Sequence, residues 1–387
     1  MRAMKVLIIG AGLGGLTAAI ALRQQGMDVE VHEAAGRLEE TGAGLTLGLG
    51  AQHVFRALDL QGAVADRACP AGVLPFLHYK NARLLMGDFD TGDGRADDGT
   101  ADIVRHIYRA DLQQVLIAAL ERLGGRIFTG HKLVDFAESG DKVTAKFASG
   151  ETATGDLLVG ADGVRSAVRA ILWPGDQPRF TDHVAYRFLV PMDSARPFMA
   201  LGRSAIFIGP QRTFNRYTMC NGEVVNCAGL VETKEPVPEG WSIGATQAEL
   251  AQAFEGWHED VRGLIGHASN IIKWGLYDRK PLASWSRGRT VLMGDAAHAM
   301  LPFLGMGAAM AIEDGYILAR ALTLESDTDL AIARYKAARQ PRTEQVHAAS
   351  LVQGQVTQAI DPDLFKPASA PMNNMEMMAF NPVTAPL

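Results

Sequence analysis

Residues 5–33 constrain the fold of this chain more than any other stretch. Residues 6–9 are a short run of Val, Leu and Ile, which is typical of a strand buried on both faces. A glycine-rich turn and an Ala/Leu-rich helical segment follow, and a second strand at residues 29–32 ends in Glu33. This order of elements predicts a Rossmann-like unit that binds an adenine dinucleotide.

The turn after the first strand contains the residues that we expect to contact the dinucleotide. Gly10 permits a tight turn, Gly12 lets the backbone approach a diphosphate, and Gly15 lets the helix lie close on the sheet. The start of the helix, which includes Gly14, offers unpaired N–H groups to the phosphates. Glu33 lies where its carboxylate can accept hydrogen bonds from a ribose.

Composition excludes several other classes of protein. The 387 residues are 48% hydrophobic and 21% charged, as expected for a globular protein of two associated domains. A net charge of −6 without a Lys/Arg block argues against nucleic-acid binding, and no apolar run approaches the ~20 residues of a membrane helix. Cys69, Cys220 and Cys227 are too few and too scattered for a disulfide framework or a metal cluster. We therefore expect a cytoplasmic monomer or homodimer without a metal and without a targeting segment.

Two later segments of the chain resemble the first strand and its turn, because each is an apolar strand followed by glycine and aspartate. One strand runs into the sequence GADG at residues 160–163, and another runs into GD at residues 294–295. Between these two turns, residues 180–232 alternate in a way that predicts an antiparallel sheet, which we expect to belong to a separate substrate domain.

Three further segments are less decisive. Residues 40–50 are rich in glycine, including Gly42, and predict a loop that either approaches a ligand closely or is mobile. A long helix begins near Met306, and a second one at residues 330–355 contains Pro341, which should kink or divide it. The tail at residues 361–387 is either a packed extended arm or partly disordered.

The three glycine-and-acid signatures, in this order and at these distances, resemble those of the single-component (class A) FAD-dependent aromatic hydroxylases. The similarity is greatest to the salicylate, 3-hydroxybenzoate and 6-hydroxynicotinate hydroxylase branch, and it covers residues 5–342. It implies FAD as the resident cofactor and an α/β fold with a Rossmann-like FAD-binding domain of the para-hydroxybenzoate hydroxylase type. An antiparallel-sheet substrate domain would be inserted into it, and helices would follow. The implied bounds are 1–75, 101–178 and 282–355 for the FAD-binding domain, 76–100 and 179–281 for the substrate domain, and 356–387 for the tail.

The resemblance also implies roles for single residues. Asp162 and Gly163 match an Asp-Gly motif that serves FAD and the transient nicotinamide, and Asp295 matches an aspartate that binds the ribityl or diphosphate region of FAD. The alternative is that both aspartates only cap the segments that follow them. The implied cofactor-binding residues are Gly10, Gly12, Gly14, Gly15, Glu33, Arg37, Arg109, Asp162, Gly163, Arg165, Asp295, Gly305 and Gly307.

The implied reaction is the hydroxylation of a small aromatic or N-heteroaromatic compound. In the family that the chain resembles, NADH or NADPH reduces FAD, the reduced flavin reacts with O2, and a flavin C4a-hydroperoxide transfers oxygen to the ring. Pro302, Gly305 and Gly307 match the loop against the flavin ring, where N–H groups at a helix start stabilise negative charge. Apolar residues around this loop suit the exclusion of water.

Two departures from the resembled branch concern the substrate. Phe303 and Thr213 replace histidines that are common there, whereas Tyr217 is retained. An imidazole that helps to deprotonate a phenol is therefore expected to be absent. Either the substrate is already activated, or Tyr217 and a water serve.

A basic group could pair with a substrate carboxylate, and Arg187, Arg212 and Arg216 are the candidates. The predicted catalytic residues are Tyr217 and Pro302, and the predicted substrate-binding residues are Thr213, Tyr217, Phe303 and Arg187.

Three alternatives stay open at this point. The first is an FAD hydroxylase of a non-phenolic substrate, such as a purine or a polyketide-like ring, which the replaced histidines favour somewhat. The second is an FAD-dependent oxidase without oxygen insertion, which would need no NAD(P)H. The third is a flavin-binding protein that has lost catalysis.

Overall fold

The structure is a computed structural model, and it describes residues 3–38, 44–72, 74–88, 104–219, 222–237, 243–371 and 375–387. Its strands are β1 (Lys5–Ile9), β2 (Asp28–His32), β3 (Gly44–Leu47), β4 (Cys69–Pro70), β5 (Phe76–His78), β6 (Leu84–Met86), β7 (Arg105–Tyr108), β8 (Arg126–Phe128), β9 (Leu133–Ser139), β10 (Lys142–Phe147), β11 (Thr152–Gly155), β12 (Leu157–Gly160), β13 (Arg179–Pro191), β14 (Ser204–Gly209), β15 (Arg212–Met219), β16 (Val224–Glu232), β17 (Ile243–Gly244), β18 (Ser269–Asp278), β19 (Ser286–Arg287) and β20 (Thr290–Leu292). Its α-helices are α1 (Leu13–Gln24), α2 (Leu49–Ala57), α3 (Gln61–Ala65), α4 (Arg109–Arg122), α5 (Ala167–Leu172), α6 (Met192–Ala195), α7 (Gln247–Ala253), α8 (Glu259–Gly266), α9 (Asp295–His298), α10 (Gly307–Leu324), α11 (Thr328–Thr357) and α12 (Met375–Met378).

A six-stranded sheet carries all three glycine-and-acid turns. Its order is β19-β20-β12-β1-β2-β8, and all neighbours are parallel except the edge pair β19–β20. Because β1, β12 and β20 are adjacent and parallel, the turns that follow them meet at the same edge of the sheet. In open α/β sheets, ligands bind at this carboxyl edge.

The first turn is held by close backbone packing. Gly10 has φ +110°, and a side chain there would meet the carbonyl of Ala161 at 2.4 Å. A Cβ on Gly15 would lie 2.2 Å from the Gly10 carbonyl oxygen, so α1 lies directly on the turn. A Cβ on Gly14 would lie 2.9 Å from the Ala311 methyl group, which brings α1 against α10.

An eight-stranded sheet forms the second layer, in the order β17-β18-β13-β16-β15-β14-β5-β6. Its neighbours are antiparallel except for the parallel pair β14–β5. One face packs on α7 and α8 and is apolar, with Phe188, Phe214 and Phe254 in the core. Since side chains alternate along a strand, the residues between these core positions point to the opposite face. The predicted fold class is confirmed: a Rossmann-like domain is combined with a largely antiparallel sheet and C-terminal helices.

One prediction of local structure is wrong, and one is narrowed. Most of the described part of the expected loop at residues 40–50 is regular structure, because Gly44–Leu47 pairs with Arg105–Tyr108 and α2 begins at Leu49. Of the two effects expected from Pro341, a kink or a division of the helix, the division is excluded, since α11 spans Thr328–Thr357 with the proline inside. The Thr343 hydroxyl donates to the carbonyl of Arg339, and Arg339 and Arg342 bind Glu313, so the segment around the proline is held on α10.

The tail is a packed arm wherever it is described. Phe365 stacks on Phe76 of the large sheet, with ring centroids 6.1 Å apart. Further on, Arg320 donates hydrogen bonds to two tail carbonyls, and the Arg342 guanidinium lies 4.0 Å from the ring centroid of Phe380. Gly42, Cys220 and the acidic residues 90–98 lie outside the described residues. Among the helices of the described ranges, none has the length and apolar character needed to cross a membrane.

Candidate active site

A cavity of about 1000 Å³ opens between the carboxyl edge of the Rossmann sheet and the face of the large sheet that points away from α7 and α8. All thirteen residues that the resemblance assigned to the cofactor line this cavity: Gly10, Gly12, Gly14, Gly15, Glu33, Arg37, Arg109, Asp162, Gly163, Arg165, Asp295, Gly305 and Gly307. Tyr217, Pro302 and Arg187 also line it. The structure thus brings residues that are almost 300 positions apart to one chamber.

The shape of this chamber fits FAD. A Cβ on Gly12 would meet nothing within 4 Å, so the backbone at the start of α1 borders open space. The first residues of α10, Gly307 and Ala308, line the same cavity, so a second helix N-terminus reaches it. Two helix starts offer N–H groups and positive dipole ends, which suit a diphosphate and an electron-rich ring system.

Glu33 is fixed by the turn that it faces. One carboxylate oxygen accepts the Ala11 N–H at 2.8 Å, and the other accepts the Ala35 N–H at 2.9 Å. Each carboxylate oxygen has a second lone pair, so Glu33 can still accept a hydroxyl hydrogen bond from a ribose.

The two aspartates of the later turns differ in how their side chains are used. The Asp162 carboxylate accepts hydrogen bonds from the Ser166 hydroxyl and from the N–H groups of Ala167 and Val168, so it caps α5. Burial raises its pKa, and these hydrogen bonds oppose that effect. Asp295 is exposed to the cavity and makes no hydrogen bond or ion pair within the described ranges. The capping alternative therefore describes the Asp162 side chain, whereas the Asp295 carboxylate is available to a ligand.

The loop before α10 is a tight turn whose backbone conformation is fixed by local hydrogen bonding. Pro302–Leu304 is a 3-10 turn, and Gly305 closes it in the left-handed region with φ +66° and an N–H that donates to the Pro302 carbonyl. Leu304 and Met306 are buried behind this turn, in a cluster with Met310, Val346 and Met377.

A network of buried charges holds the GD turn against α10 and α11. Asp314 accepts hydrogen bonds from the Gly294 N–H at 2.8 Å, from His298 Nε2 at 2.5 Å and from Arg339 Nε at 2.6 Å. Burial disfavours ionisation of Asp314, but His298 and Arg339 outweigh it and lower the pKa to about 2. The Arg339 guanidinium also donates to Glu313 at 2.8 Å. His298, at the end of the short helix that follows the GD turn, is thus part of this network.

The wall opposite the flavin loop belongs to the large sheet. Five of its residues line the cavity: Arg187 on β13, Asn215 and Tyr217 on β15, and Ala228 and Leu230 on β16. The Arg187 guanidinium lies 5.3 Å from the ring centroid of Trp274. Burial lowers the pKa of Arg187, and the positive charge of Arg109 adds to this effect. The large sheet thus presents both polar side chains, such as Arg187 and Tyr217, and apolar ones, such as Leu230, to the cavity.

Tyr217 is held by a histidine that sequence reasoning did not identify. The rings of His106 and Tyr217 are stacked with centroids 4.1 Å apart, and the two ring nitrogens of His106 bond Thr46 and Ser204 at 3.2 Å. Burial lowers the pKa of His106 to about 3, so its ring is neutral. Burial raises the pKa of Tyr217 to about 12. Tyr217 is therefore a hydrogen-bond donor at neutral pH rather than a base.

Two predicted substrate residues lie outside the cavity wall. Phe303 is buried in a cluster with Leu230 and Leu301, and its ring meets His183 edge to face at 5.5 Å. Thr213 is 2% exposed and pairs with Leu230 across the strands. Neither residue lines the cavity, and direct substrate contact by either of them stays a prediction. Asn215 and Ala228 line the cavity instead, and alternation from Tyr217 along β15 was the signal that could have identified Asn215.

Gly44 leaves the space that the Tyr217 hydroxyl occupies. Its N–H donates to the Asn226 side chain, and a Cβ there would lie 2.6 Å from the Tyr217 hydroxyl oxygen and 2.5 Å from the Met219 sulfur. We expect Gly44→Ala to displace Tyr217 and to cost about 1–3 kcal/mol of stability through overpacking. Substrate binding should weaken while FAD is retained, as measured by titration of the flavin spectrum. Gly48→Ala is the matched control, because a Cβ at Gly48 meets nothing within 4 Å.

Comparisons with known proteins identify the family of this chain. The FAD binding domain family matches residues 3–350. The chain is 33% identical over 357 residues to 3-amino-4-hydroxybenzoate 2-monooxygenase from Streptomyces platensis, which covers 90% of this chain and 87% of the relative. It is 31% identical over 355 residues to 6-hydroxynicotinate 3-monooxygenase from Pseudomonas fluorescens, covering 89% and 90%. The crystal structure of Klebsiella pneumoniae HpxO with FAD and uric acid matches with a TM-score of 0.83 at 25% identity, covering 98% of this chain and 93% of that one. The chain therefore belongs to the FAD-binding family of single-component aromatic hydroxylases, and it is an FAD-dependent monooxygenase.

Proposed function

We propose that the enzyme uses NADH or NADPH and O2 to hydroxylate a small aromatic or N-heteroaromatic compound that carries a carboxylate. One observation carries the proposal: the chamber lined by the cofactor residues continues to a wall that presents Arg187 and Tyr217. The relatives support it, because hydroxybenzoate and hydroxynicotinate, which are part of their names, are aromatic carboxylates.

The residues that would hold FAD follow from the cavity. Glu33 would bind the ribose, the start of α1 the diphosphate, and Asp295 the ribityl or diphosphate region. Arg109 and the start of α10 would contact the flavin ring or the diphosphate. Bound FAD would supply the transfer of electrons from NAD(P)H to O2 and of one oxygen atom to the ring.

The residues of this chain would position the substrate, donate a hydrogen bond to it and exclude water from the reaction. The backbone of Pro302 and Gly305 forms the floor of the reaction chamber, and Met300 and Leu301 keep it apolar. The protonated Tyr217 hydroxyl can donate a hydrogen bond to an oxygen substituent of the substrate. The Arg187 charge lowers the free energy of a carboxylate or phenolate placed beside it. An ionised phenol needs no histidine base, so Arg187 can compensate for the imidazoles that the chain lacks at residues 213 and 303.

Oxidation of NADH and NADPH by the holoenzyme tests the proposal. We expect oxidation to accelerate when an aromatic acid from a panel of hydroxybenzoates, aminohydroxybenzoates and hydroxynicotinates is added, and 18O2 to label the product. A protein that reduces its flavin directly from a substrate without NAD(P)H would instead be an oxidase. A protein that oxidises NAD(P)H without any labelled product would contradict oxygen insertion.

A purine is the second candidate substrate. The match to HpxO, whose crystal structure contains uric acid, favours it, and so does the absence of histidine at residues 213 and 303. Uric acid in the same NAD(P)H assay separates the two candidates, since it carries no carboxylate.

Removal of the Tyr217 hydroxyl separates hydroxylation from flavin reduction. We expect Tyr217→Phe to slow hydroxylation by about 10–100-fold, because a donor to the substrate oxygen is lost, while the ring still packs on His106. Reduction of the flavin by NAD(P)H should stay within a factor of about two, since the hydroxyl has no expected part in hydride transfer. Stopped-flow traces of the two half-reactions provide the measurement. Equal rates of hydroxylation in the wild type and in Tyr217→Phe would show that the Tyr217 hydroxyl has no part in the reaction.

A further inference from the structure

Three cross-strand neighbours form a slot in the substrate wall. Arg187 pairs with Ala228, and Ala228 pairs with Asn215, so the three side chains stand in one row on the cavity face of the sheet. Neighbouring strands are ~4.8 Å apart, so the backbones of Arg187 and Asn215 are about 10 Å apart. Only the methyl group of Ala228 lies between them. The row therefore has a polar group at each end and a small apolar floor.

In the part of the chain that the structure describes, the polar groups at the two ends have no hydrogen-bonding or ionic partner. Within the described ranges, neither Arg187 nor Asn215 makes a side-chain hydrogen bond or an ion pair, and Arg187 Nε and Asn215 Oδ1 are fully buried. Leaving a buried polar group without a partner is unfavourable. Both residues also line the cavity, so their other N–H groups, those of the guanidinium end and of the amide, are the ones that a ligand can contact. Guanidinium and amide N–H groups are donors, and a carboxylate is the small planar group that accepts from both sides.

The surroundings keep the slot open and fix its orientation. Trp274 lies against the Arg187 guanidinium at 5.3 Å, which limits the positions that this long side chain can take. On the other side, Asn226 accepts the Gly44 N–H and is thereby held away from the row. Tyr217 stands two residues beyond Asn215 on the same face, so a ring attached to a carboxylate in the slot can extend toward its hydroxyl.

We propose that Asn215 and Ala228 determine substrate specificity, with the carboxylate of an aromatic acid lying over the Ala228 methyl group, between the Arg187 guanidinium and the Asn215 amide. This inference rests on the proposed function and adds two residues to it. A larger side chain at residue 228 closes the slot, and an acid at residue 215 repels the carboxylate.

Matched acids and amides test the slot. The probes are 3-hydroxybenzoate and 3-hydroxybenzamide, which differ only in the charged group, and binding to the holoenzyme is followed by the change in the flavin spectrum. We expect wild-type protein to bind the acid at least about tenfold more tightly than the amide. Asn215→Asp should weaken binding of the benzoate by about tenfold or more, and binding of the benzamide by less than about threefold. Asn215→Ala should weaken binding of the benzoate less than Asn215→Asp does. Ala228→Leu should weaken the binding of both ligands, whereas its FAD content should equal that of the wild type.

Several outcomes would overturn the slot. These are acid binding no tighter than amide binding in the wild type, equal effects of Asn215→Asp on both ligands, or unchanged binding in Ala228→Leu. Failure of the proposed function looks different, because the holoenzyme would then oxidise no NAD(P)H in response to any aromatic compound. Acceleration by neutral phenols but not by acids would uphold the hydroxylase and contradict the slot.

Discussion

Arg339→Met should lower the free energy of unfolding by about 3–5 kcal/mol, the largest loss of stability that we expect from a single substitution in this chain. Arg339 is 0% exposed and binds Asp314 and Glu313, so its loss leaves two buried carboxylates with one partner fewer. Urea unfolding of the holoenzyme provides the measurement. Because Asp314 also accepts the Gly294 N–H, the turn before Asp295 should loosen, and FAD should dissociate faster.

Arg334→Met is the control for this substitution. Arg334 lies on the same helix and pairs with Glu325, but it is 46% exposed at the side chain. An exposed ion pair contributes at most about 1 kcal/mol, so the control should unfold within that range of the wild type. An equal loss of unfolding free energy in the two variants would show that the buried network stabilises the protein no more than an exposed ion pair does.

The difference between Arg339→Met and wild type should depend on pH. The folded pKa of Asp314 is lowered to about 2 from its usual 3.8, with burial opposing and the charges of His298 and Arg339 causing the shift. Such a group contributes stability above its unfolded pKa, and the contribution disappears as pH falls toward the folded pKa. Without Arg339 the shift shrinks, so the gap in stability between wild type and variant should be full near neutral pH and should narrow below about pH 4. A gap that is constant with pH would contradict the role assigned to Asp314.

Asp295→Ala should weaken FAD binding by about 10–150-fold, as expected for the loss of hydrogen bonds to a charged acceptor at 1.5–3 kcal/mol. Its carboxylate lines the cavity and has no partner within the described ranges, so the apoprotein should lose no stability. Fluorescence titration of the apoprotein with FAD gives the affinity, and its thermal unfolding checks the second half of the prediction.

Asp162→Ala provides the contrasting variant. The Asp162 carboxylate caps α5 through Ser166, Ala167 and Val168, so its removal should cost the apoprotein about 0.5–2 kcal/mol. The two aspartates occupy comparable turns, but the effects of their removal should differ. Asp295→Ala should lower the affinity for FAD, and Asp162→Ala should lower the stability of the apoprotein. If Asp295→Ala bound FAD normally, our assignment of that carboxylate would be wrong.

Local sequence was sufficient for the parts of the fold that depend on local geometry. The Rossmann unit was predictable because Gly10 must take a positive φ and Gly15 must touch the turn, and both requirements are visible in the order of residues. The convergence of the three turns followed from the family resemblance, and the parallel order of β20, β12 and β1 is its physical reason.

Long-range packing decided what the sequence left open. The sequence alone predicts Gly44–Leu47 as part of a loop, because its partner strand lies some 60 residues away and such pairing leaves no local signal. Thr213, Asn215 and Tyr217 share one face of β15, but only the placement of Phe303 and Leu230 decides which of them reaches the cavity. Either aspartate could have capped the helix that follows, and the detailed shape of each turn made the difference.

The alternating faces of the large sheet have a consequence for how such an enzyme can diversify. Residues 187, 215, 217 and 228 can be exchanged without disturbing the core, since their neighbours in sequence fill the opposite side. The turns that line the other half of the chamber tolerate less change, because a Cβ at Gly10, Gly14 or Gly15 would meet neighbouring atoms within 3 Å. Recognition of new compounds can therefore evolve by point mutation while the redox half of the molecule is inherited unaltered.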